Sequence, residues 1–265
     1  MASRKNFSPA GSWQKAHRWY DRSVGQFGNY YHQRIVIPGA IRLLGLGGRE
    51  AASVLDLACG QGVLARQLPA NTEYFGFDAA AGLADLAQRR NKNSRHHFGV
   101  ADVTQPLPLA KTDFSHAAVI LALQNIENPA KALLNAQKHM RLSGRLVLVL
   151  NHPCFRIPRQ SGWEIDPRNK LRYRRVNRYL SPMNIPLQIH PSRGQNSPVA
   201  LTFHHPLSAY SRWLRDAGFL IEGIEEWASD KTSQGPAARM ENLSRMEIPL
   251  FLALSARLDK KPQTR

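Results

Sequence analysis

The stretch VLDLACGQG, Val54 to Gly62, decides how the rest of this chain reads. Its first half is a short apolar run around one acid, Asp56, the pattern of a buried strand. Its second half is a turn, because Gly60 and Gly62 let the backbone bend tightly and approach a ligand with no Cβ in the way. Residues 63–68 then read as helical. A strand, a glycine turn and a helix in that order open an alternating α/β domain.

Working outward, the alternation continues. Residues 73–78 (EYFGFD) read as a second strand, followed by an Ala/Leu-rich helix to Arg90. Residues 97–102 and 114–121 supply a third and a fourth. Asn128 and Pro129 then give an N-cap and a first-turn proline to a helix with Leu133, Ala136 and Met140 on one face. Gly144 is expected to end that helix. Arg145 to Leu150 (RLVLVL) is the fifth strand.

After it the pattern breaks. Residues 155–203 hold many Pro and Arg and little periodicity, yet include Trp163, Tyr173 and Tyr179. A structureless loop longer than ~15 residues is uncommon inside a compact domain, so an ordered cap is expected here. A helix over 205–218 closed by Gly218 and two strands, 220–227 and 249–258, complete the pattern. Between those strands, Lys231 and residues 239–245 read as a polar loop. Upstream, Trp13 to Leu46 reads as helical lead-in interrupted by Pro38, with the first dozen residues frayed. The expected organisation is a lead-in over 1–50, a domain over 51–258 with 155–203 as a basic cap insertion, and a polar tail over 259–265.

Composition narrows the class. A chain of 265 residues with 43% hydrophobic content suits one well-cored domain with an elaboration. No apolar run approaches the ~18–20 residues of a membrane span, and the N-terminus lacks the apolar centre of a secretory signal. Two cysteines, Cys59 and Cys154, make a disulfide framework unexpected and a reducing cytoplasm the default. Lys and Arg number 36 against 19 acids, a net charge of +17. That surplus suits a nucleic acid, an anionic lipid, an anionic small substrate or simply a solvated surface.

Open α/β sheets bind ligands at the carboxyl ends of their strands. Three features converge there. The glycine turn follows strand one, Asp78 ends strand two, and Asp102 ends strand three. Asp78 can accept both hydroxyls of a ribose, and Asp102 can accept from an exocyclic adenine amine. The turn also fits the loose dinucleotide pattern G-x-G-x-x-A. A nicotinamide dehydrogenase fits less well, because Asp56 stands four residues before Gly60 and the chain closes on the strand pair at 220–227 and 249–258.

VLDLACGQG, the acidic end of YFGFD, ADVTQPLPL and the seven-strand order together resemble the class I S-adenosylmethionine-dependent methyltransferases. The branch most similar is the type 11, ubiquinone/menaquinone-methyltransferase-like group. The resemblance runs over about Tyr20 to Leu258 and is sharp between Ser53 and Leu150. It implies an α/β, Rossmann-like seven-stranded sheet in the order 3-2-1-4-5-7-6 with an antiparallel final pair, and S-adenosylmethionine as cofactor. It implies that Asp56, Gly60 and Gly62, with Ala58 and Cys59 in the same turn, border the methionine moiety. Asp78, with Ala79 beside it, takes the ribose hydroxyls, Asp102 and Val103 flank the adenine, and Leu121 and Gln124 line the methionine side. Ala58 departs from the glycine many members carry. WYDRSVGQFGNYYHQ resembles a helix that covers the cofactor in related enzymes, adding Tyr20, Tyr31 and His32.

Methyl transfer from a sulfonium needs chiefly alignment, exclusion of water and sometimes removal of a proton. The acceptor side therefore falls near strands four and five and on the cap, where Asn151-His-Pro-Cys-Phe155 leaves strand five. It resembles the Asn-Pro-Pro-Tyr tetrapeptide of amino-group base methyltransferases, but sits one strand later than theirs. His152 and Cys154 are the catalytic candidates. A thiolate at Cys154 would suit attack on a pyrimidine ring, as in RNA C5 methyltransferases. Asn151, Arg156, Arg159, Trp163, His204 and Tyr210 are the substrate candidates, and His190 and His205 are further possible proton acceptors. Arginines interleaved with aromatics suit an anion plus a stacked ring. A small ring-bearing or anionic acceptor is the leading expectation and RNA the alternative. A cofactor-binding fold used only as a binding module is a third. No metal is expected.

Overall fold

The computed structural model describes residues 9–47, 52–188, 197 and 199–260. His190 lies outside them. Five parallel strands build the centre: β1 (Ser53–Leu57), β2 (Glu73–Asp78), β3 (His96–Val100), β4 (Phe114–Ile120) and β5 (Met140–Asn151). Late in the chain come β10 (Phe219–Trp227) and β11 (Phe251–Leu258), and β11 runs antiparallel to both β5 and β10. The spatial order is β10-β11-β5-β4-β1-β2-β3. Counting only the strands of this sheet, that is the order 3-2-1-4-5-7-6 read from the sequence.

Both faces of the sheet are covered, which is why its strands read as continuous apolar runs. Along β5, Leu146, Leu148 and Leu150 join one core with Leu133 of α4 (Pro129–His139) and Leu214 of α5 (Leu207–Asp216). Val147 and Val149 face the other way, onto Val36, Ala40 and Leu44 near and along α2 (Ile37–Leu44). These side chains are buried, and each large one contributes roughly 1.5–3 kcal/mol relative to exposure.

The lead-in is α1 (Pro9–Val24), then a π-helical turn, His32–Val36, running straight into α2. Pro38 does not interrupt this helix. A proline ring collides with the carbonyl four residues back, and the wider turn relieves that crowding. Ile37 bonds instead to the His32 carbonyl, five residues back. α1 also starts at Pro9, inside the stretch expected to be frayed.

Other expectations are corrected. Residues 63–68 hold only a 3-10 turn, Ala65–Gln67, because the chain is still completing the glycine turn. The helix after Asn128 stops at His139, and Gly144 sits instead in the irregular opening of β5, where a Cβ would meet the Arg141 carbonyl at 2.8 Å. The polar loop at 239–245 is a helix, α6 (Ala238–Glu247).

The cap is two hairpins outside the main sheet. β6 (Ser161–Asp166) pairs with β7 (Leu171–Val176), and β8 (Met183–Gln188) pairs with β9 (Val199–His204). β7 packs on α6, and β9 packs on α1, where Ala200 meets Ala16 with Trp13 and Trp19 around them.

Candidate functional site

A cavity of about 510 Å³ opens at the carboxyl ends of β1 to β4. On its β1–β2 side lie Ala58, Gly60, Asp78 and Ala79, and Tyr20 and Trp13 of α1 come over it. On its β3–β4 side lie Asp102, Val103 and Leu121.

Asp78 is the best-prepared of these groups. Gly60 N–H donates to its Oδ2 at 2.9 Å and Ala80 N–H to its Oδ1 at 2.8 Å. Burial pushes its pKa up, and those two amides pull it back toward the charged form. Each oxygen keeps a further lone pair for a hydroxyl. Gly60 makes this possible with a φ of 57°, and its amide turns onto the carboxylate from there. Ala58 is also left-handed, with a φ of 61°, so the departure from glycine falls where a Cβ is strained. Leu121, across the cavity, has a φ of 53°.

The β3 loop is pinned from below. Buried Asn135 of α4 donates to the carbonyls of Val103 and Gln105, both at 2.6 Å. Asp102 Oδ1 accepts from the amide and the hydroxyl of Thr104, at 2.9 and 2.8 Å, which fixes its direction.

α1 is fastened over the glycine turn. Arg90 of α3 (Ala81–Arg90) grips Asp21 with both its terminal nitrogens and also donates to the Gln61 side chain. Gln61 Nε2 donates to the Gly25 carbonyl at 2.9 Å, and Arg66 to the Gln26 carbonyl at 2.6 Å. Burial first, then Asp78, pushes the Tyr20 phenol far above its usual range. Trp13 meets Tyr20 edge-on at 5.9 Å, and its buried Nε1–H has no protein partner.

Other cofactor candidates stand behind this wall rather than on it. Asp56 is 2% exposed, and its Oδ2 accepts from Tyr74 Oη at 2.7 Å. Burial raises its pKa to about 7, with Asp78 adding to the rise and the Tyr74 bond opposing it. Cys59 lies in the same pocket, its thiol pushed well up by burial and by Asp56 and Asp78. Gly62 lets the turn pack, since a Cβ there would press on Ala87 and Phe98 at 3.1 Å. Gln124 ties back to the Leu121 carbonyl at 2.7 Å and leaves its Oε1 buried without a donor. Tyr31 packs on Phe251 at 5.7 Å and bonds Ser229 at 3.1 Å.

Of the catalytic candidates, neither lines the cavity. His152 is 1% exposed, and both its ring nitrogens are engaged. Cys154 N–H donates to its Nδ1 at 3.2 Å, which leaves the proton on Nε2, donated to Glu226 at 2.7 Å. Burial lowers its pKa in spite of Glu226. It is therefore a neutral ring with no lone pair free to take a proton from Cys154. The thiol lies beside the Tyr179 hydroxyl.

Among the substrate candidates, Arg156 donates to Asn151 Oδ1 at 2.6 Å. Trp163 on β6 is flanked by the guanidiniums of Arg172 and Arg174, 4.5 and 5.3 Å from its ring. His204 donates to the Tyr179 carbonyl at 2.7 Å, which joins the two hairpins' ends. Tyr210 is 2% exposed in the main core, a packing position, and its burial raises its phenol. Arg159 is exposed in a left-handed turn at the start of the cap.

Sequence reasoning missed part of the wall. Thr104 and Gln105 follow β3, and Asn125, Ile126, Glu127 and Lys131 follow β4. Position at a strand's carboxyl end marked those loops as a whole, not just their first acid. Trp13 carried no such signal.

An amide-held acid ending β2, a braced loop after β3 and an unpartnered donor at Trp13 are polar groups at the cavity that S-adenosylmethionine would fit. The type 11 family model, described as a methyltransferase domain, matches residues 55–148. A malonyl-[acyl-carrier protein] O-methyltransferase of Pseudescherichia vulneris is 29% identical over 62% of this chain and 64% of its own length. An uncharacterized 37.1 kDa protein in a Streptomyces fradiae transposon is 31% identical over 41% of this chain and 33% of its own. The chain thus spans about a third and under two thirds of these relatives. A solved S-adenosylmethionine-dependent methyltransferase from Mesorhizobium loti shares the fold, with a TM-score of 0.63, 23% identity and coverage of 83% of this chain and 99% of that one. Residues 55–148 thus match a methyltransferase domain of the type 11 family, set in the fold of solved S-adenosylmethionine-dependent methyltransferases. Among the described residues no helix is long and apolar enough to cross a membrane.

Proposed function

We propose that this chain transfers a methyl group from S-adenosylmethionine to a small, anionic, ring-bearing acceptor held beneath the cap at the ends of β4 and β5, in the cytoplasm. The observation that carries this reading is where the cap is anchored. Thr202 Oγ1 of β9 donates to the Gln124 carbonyl at 2.9 Å, just past β4, while the same strand packs on α1. A cap fastened to both the lead-in helix and the sheet edge suits an enclosed small molecule better than a polymer lying in a trough.

The cofactor supplies a methyl group already activated on a cationic sulfur. The chain's own residues need only hold, align and exclude water. In this reading Asp78 fixes the ribose, the Asn135-braced loop fixes the adenine, and α1 with the cap keeps solvent out. An anionic acceptor is drawn to a sulfonium far more strongly in such a site than in water. Its lone pair forms the new bond to carbon as the sulfur–carbon bond breaks, and sulfur keeps that electron pair. A carboxylate nucleophile has no proton to lose, in keeping with the committed nitrogens of His152. The Pseudescherichia vulneris relative, by its name, methylates oxygen on a malonyl group.

The test is transfer of a labelled methyl group to a panel of aromatic carboxylates and, separately, to bulk tRNA and rRNA. Label is expected in the carboxylates. Label in RNA, with binding that falls steeply as salt rises, would sink this reading in favour of the basic hairpin as an RNA surface.

A further inference from the structure

The cations around the β5–β11 edge divide into those with acidic partners and those without. Arg34 pairs with Asp230 at 3.1 Å. Arg156 has no such partner. Among the described residues no carboxylate stands within ion-pair distance of it, nor of Arg174 or Lys231.

Arg156 is half-buried, and among the described residues its one hydrogen bond runs from Nη1 to Asn151 Oδ1 at 2.6 Å. Among the described residues its other four N–H groups find no acceptor. Burial and the charge of Arg174 both work against its protonated form. Arg174 cannot swing away, since its Nε donates to the Phe155 carbonyl at 2.6 Å and its Nη2 to Ser161 at 3.0 Å. Two fixed guanidiniums near each other, with no anion supplied by the fold, form an arrangement that an incoming anion stabilises.

Beside Arg156 lie one buried and one half-buried aromatic ring, Phe251 and Tyr31. The Arg156 guanidinium lies 5.3 Å from the Phe251 ring, and Phe251 meets Tyr31 edge-on at 5.7 Å. Lys231 Nζ stands 5.0 Å from the centre of the Tyr31 ring. The group also lies within reach of the methyl donor's cavity. Leu121, which lines that cavity, donates to the Val149 carbonyl at 2.7 Å, and Asn151 is two residues farther along β5. Two residues along a strand and one strand across is about 8 Å, the span of one ring with its substituent.

We propose that Arg156 is the receptor for a carboxylate on the methyl acceptor, with Arg174 reinforcing it and half-buried Tyr31 beside the acceptor's ring. This rests on the preceding reading that the acceptor lies at the β4–β5 edge, and it names the group that fixes it there. A planar guanidinium with free N–H groups matches a carboxylate in two parallel bonds, a match lysine cannot reproduce.

The experiment loads the protein with S-adenosylhomocysteine and titrates it with benzoate and, as a neutral isostere, benzamide, following chemical shifts by NMR. Benzoate is expected to bind saturably and benzamide about tenfold or more weakly. Arg156→Met is expected to abolish the preference, and Arg156→Lys, which keeps the charge and the packing stem, to retain part of it. S-adenosylhomocysteine affinity should stay within about twofold in both variants, which also reports that they fold. Equal binding of the two probes, no saturable benzoate binding, or full benzoate affinity in Arg156→Met would overturn the proposal. Such a result with unchanged S-adenosylhomocysteine binding removes the anchor alone and leaves the cofactor site standing.

Discussion

The edge formed by β1, β2 and β3 and the cap over β5 use their charged residues in opposite ways. At the edge, acids are few, buried or directed, and held by the backbone: Asp78 by two amides, Asp102 by Thr104, the β3 loop by Asn135. On the cap, cations are many, and aromatic faces hold several of them: Arg172 and Arg174 on Trp163, Arg156 on Phe251. A site held by main-chain bonds has one geometry and suits one ligand. A site held by long side chains on rings adapts to the ligand's shape. That contrast is what the proposed division predicts, with the cofactor at the first region and the acceptor at the second.

The largest effect separates the two regions directly. Asp78→Ala removes charge-assisted bonds to the ribose and is expected to cost about 3 kcal/mol, roughly a hundredfold in S-adenosylmethionine affinity. Trp163→Ala on the cap should leave that affinity within about twofold. Calorimetric titration of both variants checks the pair, and a hundredfold loss from Trp163→Ala would erase the division.

A second prediction probes what lies behind the wall. Inside the fold, burial raises the Asp56 carboxyl from the usual carboxylate range to about 7. The folded chain then keeps a proton that the unfolded chain releases, so stability falls as pH rises from about 4 to about 7 and levels off above. Asp56→Asn has no such proton, and its melting temperature should fall less across that window, measured without cofactor. Parallel profiles for the two proteins would show that Asp56 ionises as an ordinary surface acid.

The smallest effect is Ala58→Gly. Its left-handed backbone suits glycine, and relief of the Cβ clash is expected to stabilise the fold by about 1 kcal/mol. Chemical denaturation reads this, and a destabilised variant would mean that the lost methyl packing outweighs the strain.

What was legible in the sequence follows the same division. The strands and the acids at their ends could be read because a buried parallel strand must be apolar and stops at its ligand edge, whereas their order in the sheet came from the family resemblance. Residues 63–68 misled, since apolar spacing alone does not show that Gly60 and Gly62 are still turning the chain. The cap was legible as ordered but not as hairpins. β7 alternates arginines with exposed Leu171 and Tyr173, so no face reads as buried, although the Asp166–Asn169 turn is local chemistry that marked the bend. α6 escaped because it shows little apolar face, with only Ser244 buried. The Arg156 group was legible as basic. Its lack of an acidic partner is a property of three dimensions.

Ala58 and Leu121 face one crevice from the ends of β1 and β4, and each holds a backbone conformation that L-residues avoid. Such strain persists only because surrounding packing over-determines it. It is met once, when the chain folds, so each catalytic cycle begins with walls already in place and little binding energy diverted to shaping them.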